Sequence, residues 1–198
     1  MIPVPAADHP LTEGLLQLAV ADSVGWWRHM VVPNLCLWHE MDVAVLTRAG
    51  CLWEFEIKVS QADFNRDRHK DAPRVIPPRT MEWVNHLPNK ERWIEQETAP
   101  QRDLSHVSRF TYVYTAGLTV PEWVPEWAGL VEAHIEASHY CAEWRIRLHE
   151  VRAAKTRRVP KPSEAHVRKM YEAIYHRFWR QVKQLPVAEQ VRRVPEGA

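Results

Sequence analysis

Hydrophobic and polar positions alternate most clearly in the two runs 41–46 and 52–59, which together predict a β-hairpin. The first run is apolar and β-branched, and the second alternates large apolar with charged side chains, the period-two pattern of strands. Residues 48–50 fit a three-residue loop that ends on a glycine, the residue that tolerates the left-handed conformation required there. In this arrangement Thr47 and Cys51 close the loop.

The register of this hairpin brings two carboxylates close to each other. Asp42 on the first strand lies opposite Glu56 on the second, and directly paired residues have Cβ atoms about 4.5–5.5 Å apart. Like charges at this separation repel unless a cation lies between them. We therefore expect Asp42 and Glu56 to bind one divalent metal ion. The alternative is that the Glu-x-Lys pattern of the second strand marks an ordinary solvated sheet surface.

Alternation along the second strand separates its charged residues from its apolar ones. Glu54, Glu56 and Lys58 share one face. The opposite face carries four apolar side chains: Trp53, Phe55, Ile57 and Val59. Because a charge buried without a partner costs several kcal/mol, we expect the apolar face to belong to the core and the charged face to line an open cleft.

Further periodic segments predict an α/β protein with one domain over residues 1–198. Residues 11–28 have helical periodicity, with Thr12 as the N-cap. One stripe of this helix is predicted to contain Leu15, Leu18, Ala19 and Asp22. A short helix is expected over residues 62–70, and strands over 30–37 (interrupted at Pro33-Asn34), 109–116, 128–135 and 145–151. These elements predict a mixed sheet of five or six strands flanked by helices.

A last helix is predicted over residues 163–185, with Ser163 as its N-cap and Pro186 following its end. Apolar residues recur along it at helical spacing: Val167, Met170, Tyr171, Ile174, Phe178 and Val182. Such a stripe is more typical of a helix that packs on a core than of a recognition helix. We therefore expect this stripe to be buried.

Residues 71–106 differ in character from the rest of the chain, because prolines punctuate them and basic residues are mixed with tryptophans. Basic and aromatic side chains together can clamp a nucleic-acid strand by phosphate pairing and base stacking. The candidate nucleic-acid contacts of this insert and its border are Lys70, Arg74, Arg79 and Arg92. The alternative is a folded excursion whose tryptophans pack on the body of the domain.

Composition is that of an ordinary globular chain of 198 residues, with 45% hydrophobic and 26% charged residues. The net charge of +1 shows no overall basicity, although a net value does not reveal positive charge that is concentrated around a site. The three cysteines are isolated from one another, which argues against a disulfide framework or a zinc ribbon. No apolar run approaches 18 residues and no basic segment precedes Arg28, so we expect a soluble, cytoplasmic protein without a membrane partner.

The segment Glu-Ile-Lys-Val-Ser-Gln-Ala-Asp-Phe at 56–64, which leads into Asp-Arg-His-Lys at 67–70, resembles the PD-(D/E)XK nuclease superfamily. More narrowly, it is similar to the MmcB-type DNA-repair nucleases and their phage relatives. The resemblance continues through the segments 108–114 and 128–133 and covers roughly residues 10–185.

This resemblance implies a restriction-endonuclease-like core and a nuclease that depends on Mg²⁺ or Mn²⁺. Asp42 and Glu56 would bind the cation together with the carbonyl of Ile57, and Lys58 would orient the attacking water or stabilise the developing charge. The first helix of the superfamily often supplies a third carboxylate, and Glu13 occupies that position here. Glu13 could equally complement the dipole of the helix in its first turn.

The chain departs from the family pattern in two places. His69 separates the Asp-Arg pair from Lys70, and the insert at 71–106 is longer than the compact region of the family. The function expected from the sequence is hydrolysis of nucleic-acid phosphodiester bonds, with DNA as the expected partner, in DNA repair or phage DNA processing. The alternative is a catalytically silent relative that binds DNA or a protein partner.

Overall fold

The computed structural model describes residues 11–69, 73–74, 99–100, 102–137 and 144–184. Its centre is a mixed sheet of six strands in the order β1-β2-β3-β6-β7-β8, and a separate two-stranded sheet pairs β4 with β5. The pairs β3–β6 and β6–β7 are parallel, and the remaining pairs are antiparallel. The predicted α/β class, with a mixed sheet of five or six strands flanked by helices, is confirmed.

The elements have the following bounds. The strands are β1 (Met30–Cys36), β2 (Glu40–Leu46), β3 (Leu52–Lys58), β4 (Pro73–Arg74), β5 (Ala99–Pro100), β6 (Val107–Thr115), β7 (Gly129–Ala137) and β8 (Trp144–Arg152). The helices are α1 (Glu13–Val24), α2 (Gln61–Arg66) and α3 (Glu164–Gln184), and a 3-10 turn at Asp67–His69 extends α2.

The hairpin of β2 and β3 has the predicted register and loop. Val43 pairs with Phe55, and the pairing continues to the loop. The loop is closed by a hydrogen bond from Thr47 N to Cys51 O of 2.9 Å. Gly50 has φ of +75°, so its left-handed conformation is the one that the loop type requires.

Both faces of β3 are covered, and the prediction of an open charged cleft was therefore wrong. Glu54, Glu56 and Lys58 are only 0%, 1% and 2% exposed, whereas Trp53 and Phe55 are half-buried. β3 lies in the middle of the sheet between β2 and β6. Its charged face is buried on the side of the sheet where α2 and the aromatic residues of β6 pack, and its other face packs on the α1 side. The charges tolerate burial because they are paired with one another, as the site geometry shows.

Helix α1 begins as predicted but ends earlier. The Thr12 hydroxyl caps it by accepting a hydrogen bond from Leu15 N. The helix ends before Gly25, which has φ of +77°, and it does not reach Arg28. Leu18 is 53% exposed, so the predicted stripe was partly wrong. The buried side chains of the helix are Leu16, Ala19 and Val20.

β1 runs through Pro33 and Asn34 without losing its partner. Pro33 pairs with Val43 and Leu35 pairs with Met41, although Asn34 has a left-handed φ of +46°. β1 is an edge strand, where a proline costs no ladder hydrogen bond. The predicted interruption is thus a local distortion that turns Asn34 outwards, and the residue is exposed.

Helix α3 is capped as predicted, with the Ser163 hydroxyl accepting from His166 N, but its apolar stripe is largely not buried. Met170 is fully buried, whereas Tyr171 and Phe178 are 60% and 51% exposed. The helix contacts the edge strand β1, so only a narrow face of it reaches the core, and the predicted core-packing stripe was wrong at these positions. Neither α3 nor any other helix in the described part of the chain is long and apolar enough to cross a membrane.

Most of the predicted insert falls outside the described residues. Lys70, Arg79 and Arg92 lie there, and Arg74 is described only through the pairing of β4 with β5. Their predicted contacts with nucleic acid remain predictions. The end of the insert is described from Arg102 onwards, and Arg102 is a buried residue of the domain.

Candidate active site

The candidate site lies where β3 ends and β2 begins. The described pairing of these strands starts at Val43 and Phe55. Just beyond it, the Asp42 carboxylate accepts a hydrogen bond from Ile57 N at 2.6 Å. The side chain of Asp42 thus takes the place of a backbone acceptor and fixes its carboxylate beside the end of β3.

The pKa of Asp42 is raised from its ordinary value of 3.8 to about 7. Burial is the largest cause, because it disfavours the charged form, and the negative charge of Glu56 is the second. The Ile57 N–H and Lys58 lower the pKa, and Glu13 raises it slightly. The other residues predicted for catalysis and metal binding therefore all influence the pKa of Asp42. We call Glu13, Asp42 and Glu56 the acidic corner.

Gln17 ties the acidic corner to helix α1 and strand β1. Its side-chain nitrogen lies 2.9 Å from Glu13 Oε1, 2.8 Å from Asn34 Oδ1 and 3.2 Å from the carbonyl oxygen of Asp42. Sequence reasoning missed this residue. The available signal was its spacing of four from Glu13, which places both side chains on the same side of a helix.

Lys58 lies among carboxylates and is fully buried. Its Nζ is 2.8 Å from Glu56 Oε1, 3.0 Å from Asp67 Oδ1 and 3.8 Å from Asp63 Oδ2. Asp63 and Asp67 belong to the segment after β3 that carries the family resemblance. The short helix α2 begins at its Ser60 cap and directs both aspartates back towards Lys58.

Arg102 completes a buried ionic network with Glu56, Lys58 and Asp67. Its Nη2 is 2.7 Å from Asp67 Oδ2 and 3.2 Å from Glu56 Oε1, and its Nη1 donates to the Tyr112 hydroxyl at 3.0 Å. Burial by itself would lower the pKa of Arg102. The neighbouring groups, of which Glu56 has the largest effect, outweigh burial and raise the pKa of Arg102 above its ordinary value. We call Glu56, Lys58, Asp67 and Arg102 the ionic network.

His39 and Glu54 form a second buried pair next to this network. His39 Nε2 lies 2.8 Å from Glu54 Oε1, and His39 Nδ1 accepts a hydrogen bond from Asp103 N at 3.2 Å. Because Nδ1 accepts, the proton of a neutral ring lies on Nε2 and is donated to Glu54. Burial raises the pKa of Glu54 and the hydrogen bond from His39 opposes this. Glu54 is thus engaged by His39 and is separate from the acidic corner.

The acidic corner fits a hard divalent cation in the kind of donor it offers. Two carboxylates and the Ile57 carbonyl match the oxygen ligands that Mg²⁺ prefers, and burial together with the nearby charge of Glu56 disfavours the ionised form of Asp42 when no cation is present. Among the described residues, however, no three His, Cys, Asp or Glu side chains are arranged to hold a metal ion. Glu56 Oε1 already contacts Lys58 and Arg102, so an ion bound to this oxygen would compete with these two cations.

Comparisons with known proteins support the fold and leave the function open. No family model matches the chain, and no curated protein matches it. A solved structure of SPO1766, a protein of unknown function from Silicibacter pomeroyi, is similar, with a TM-score of 0.55 and 18% identity over 90% of this chain and 99% of that chain. At this identity the similarity shows that the two chains share a fold.

Proposed function

We propose that this protein is a Mg²⁺- or Mn²⁺-dependent nuclease that hydrolyses nucleic-acid phosphodiester bonds, with DNA as its expected substrate. The observation that carries the proposal is the environment of Asp42. The Asp42 carboxylate is fixed beside the end of β3 by the Ile57 N–H at 2.6 Å, and burial, followed by the charges of Glu56 and Glu13, raises its pKa to about 7. A divalent cation would stabilise the ionised form of such a group. The resemblance of residues 56–70 to the PD-(D/E)XK nucleases supports the same assignment.

Asp42 and Glu56 would hold the cation together with the carbonyl of Ile57, and Glu13 would add negative charge from the exposed side. When bound, a divalent cation supplies polarisation of the phosphate and a lowered pKa of bound water. Lys58 would orient the attacking water or stabilise the charge that develops on the phosphate.

Access to Lys58 depends on the ionic network. Lys58 Nζ contacts Glu56 and Asp67. If Glu56 held a cation, its interaction with Lys58 would weaken and the ammonium group would become available to a phosphate. The contact with Asp67 would keep Lys58 in place. The ionic network therefore positions the lysine, and the acidic corner provides the ligands.

A second candidate function is that of a nuclease-like protein without catalysis, which binds DNA or a protein partner. The completeness of the ionic network favours it. Lys58 and Arg102 are buried, and each already contacts Glu56 and Asp67. A site whose charges are neutralised internally requires no ion for its stability.

A cleavage panel separates the two candidates. Labelled single-stranded, duplex, nicked and branched DNA and single-stranded RNA are incubated with Mg²⁺, Mn²⁺, Ca²⁺ or EDTA. A nuclease cleaves at least one substrate with Mg²⁺ or Mn²⁺, and loses that activity in Glu56→Gln but not in Glu126→Gln, a control at an exposed carboxylate. Intact substrates in every reaction, together with no binding of Mn²⁺, would assign the protein to the second candidate function.

A further inference from the structure

Arg177 on helix α3 is connected to the acidic corner through Asn34 and Gln17. Its Nη2 donates a hydrogen bond to the carbonyl oxygen of Asn34, whose side chain accepts from Gln17. Gln17 in turn contacts Glu13 and the backbone of Asp42. The left-handed conformation of Asn34 turns this edge-strand residue outwards, so that one short chain of hydrogen bonds joins α3 to the proposed cation site.

Arg177 and its neighbour Arg180 carry positive charge that the described part of the protein does not neutralise. Neither has an ion pair with a described carboxylate, and Arg177 Nη1 is buried without a hydrogen-bond acceptor there. Burial lowers the pKa of Arg177, and the charge of Arg180 lowers it further, which means that the two guanidinium groups are close enough to repel. In contrast, Arg168 on the same helix pairs with Glu172 at 3.6 Å.

We propose that Arg177 and Arg180 bind a backbone phosphate of the nucleic-acid strand that enters the acidic corner. The substrate class rests on the proposed function. Arg180 is exposed, and its guanidinium group can donate hydrogen bonds to phosphate oxygens in a planar fork. The charge of the half-buried Arg177 would add to the attraction, and a phosphate would relieve the repulsion between the two arginines. Contacts of this kind fix the register of a strand and carry no sequence information.

The position of the pair explains why it would serve the reaction. The acidic corner repels a phosphodiester until a cation is bound, and Glu13, on its exposed side, adds to that repulsion. Arg177 beside Asn34, with Arg180 near it on the same helix, would offset this repulsion at the solvent-facing approach. They would hold the phosphate that neighbours the scissile one, because Lys58 and the cation serve the scissile phosphate itself.

The test compares the double variant Arg177→Gln/Arg180→Gln with Arg168→Gln, which removes a charge from another side of the same helix. Binding of a labelled single-stranded oligonucleotide and of its duplex is measured by fluorescence anisotropy in Ca²⁺ at several salt concentrations. We expect the double variant to lose about tenfold or more in affinity. The slope of the logarithm of the binding constant against the logarithm of salt concentration should become less steep. The expected change is about 0.7 per lost phosphate contact on a single strand and about 0.9 on a duplex. Arg168→Gln should match the wild type.

Further measurements separate this inference from the proposed function and from a folding defect. Arg180→Gln alone leaves the hydrogen bond to Asn34 intact and should still weaken binding, and thermal unfolding should show the variant folded. If the wild type neither cleaves nor binds Mn²⁺ while the arginine variants still lose DNA affinity, the phosphate site stands and the nuclease proposal fails. The inference is overturned if the wild type binds no DNA, if the double variant binds as the wild type does, or if Arg168→Gln loses as much affinity.

Discussion

The ionic network and the acidic corner meet at the end of β3 and share Glu56, yet their electrostatics are opposite. In the network, the anions Glu56 and Asp67 each contact both cations, Lys58 and Arg102, and all four side chains are buried. In the corner, burial and then the negative charges of Glu56 and Glu13 raise the pKa of Asp42 to about 7. The first arrangement is satisfied within the protein, whereas in the proposed function the second would be relieved by a bound cation.

This difference indicates separate roles for the two clusters, with the ionic network stabilising the fold and the acidic corner available for a cation. Buried polar groups that are fully paired fix a unique arrangement of the chain, whereas groups with strongly perturbed pKa values are concentrated at functional sites. Variants in the network should therefore change stability first, and variants in the corner should change cation binding first. The predictions below test that division, from the largest expected effect to the smallest.

Replacement of Arg102 by methionine should destabilise the protein by about 3–5 kcal/mol, because Glu56 and Asp67 would remain buried with one cation between them. The free energy of unfolding is measured by urea titration. Arg147→Met is the matched control, since the pair of Arg147 with Glu136 is solvent-exposed and such pairs contribute about 0–1 kcal/mol. Equal losses for the two variants would show that the network has no special stabilising role.

Lys58→Ala and Glu56→Gln should both strongly reduce cleavage but differ in their effect on the affinity for the cation. Loss of Lys58 removes no ligand, so Mn²⁺ should still bind while hydrolysis slows by about 10²–10³-fold. Loss of Glu56 removes a ligand, so the affinity for Mn²⁺ should fall. Calorimetric titration and a cleavage assay on each folded variant separate the two effects. Cleavage by Lys58→Ala at the wild-type rate would exclude the proposed role of the lysine.

Asp42→Asn should stabilise the protein at alkaline pH, by on the order of 2 kcal/mol. The folded-state pKa of Asp42 is raised from 3.8 to about 7, so the folded protein binds this proton more tightly than the unfolded chain. The stability that the protonated carboxyl contributes is fully present below the pKa of Asp42 in the unfolded chain. It is lost as the pH rises through the folded-state pKa of about 7. The advantage of the variant should therefore be greatest above pH 7 and vanish near pH 4. A constant difference across this range would contradict the raised pKa.

Gln17→Ala should have the smallest effect, a loss of about 1 kcal/mol and a modest fall in affinity for Mn²⁺. Gln17 orients Glu13 and the backbone of Asp42 but offers no carboxylate to the ion. Ser23→Ala is a suitable control on the same helix, because the Ser23 hydroxyl donates to Val20 O away from the site. An affinity for Mn²⁺ that is unchanged in both variants would remove Gln17 from the support of the corner.

The hairpin and its register could be predicted because local rules determine them. A three-residue loop ending on Gly50 specifies which residues pair. The resulting register places Asp42 and Glu56 just beyond the pair formed by Val43 and Phe55. The burial of the charged face could not be predicted, because it depends on the central position of β3 and on partners that are distant in sequence. Arg102, which neutralises Glu56 and Asp67, had no spacing that linked it to them. Similarly, the sequence of α3 shows that the helix is amphipathic. It does not show that only a narrow part of the apolar face packs against the edge strand β1.

The central claim, that Asp42 and Glu56 bind a divalent cation, is tested most directly by calorimetric titration of Mn²⁺ at about pH 6 in buffers of different ionisation enthalpy. A carboxyl with a pKa of about 7 is largely protonated under these conditions, and an ion that binds to it must release the proton. The account predicts binding of Mn²⁺ by the wild type with an observed heat that depends on the buffer, and loss of that binding in Asp42→Asn. No binding by the wild type, or equal binding by the variant, would contradict it.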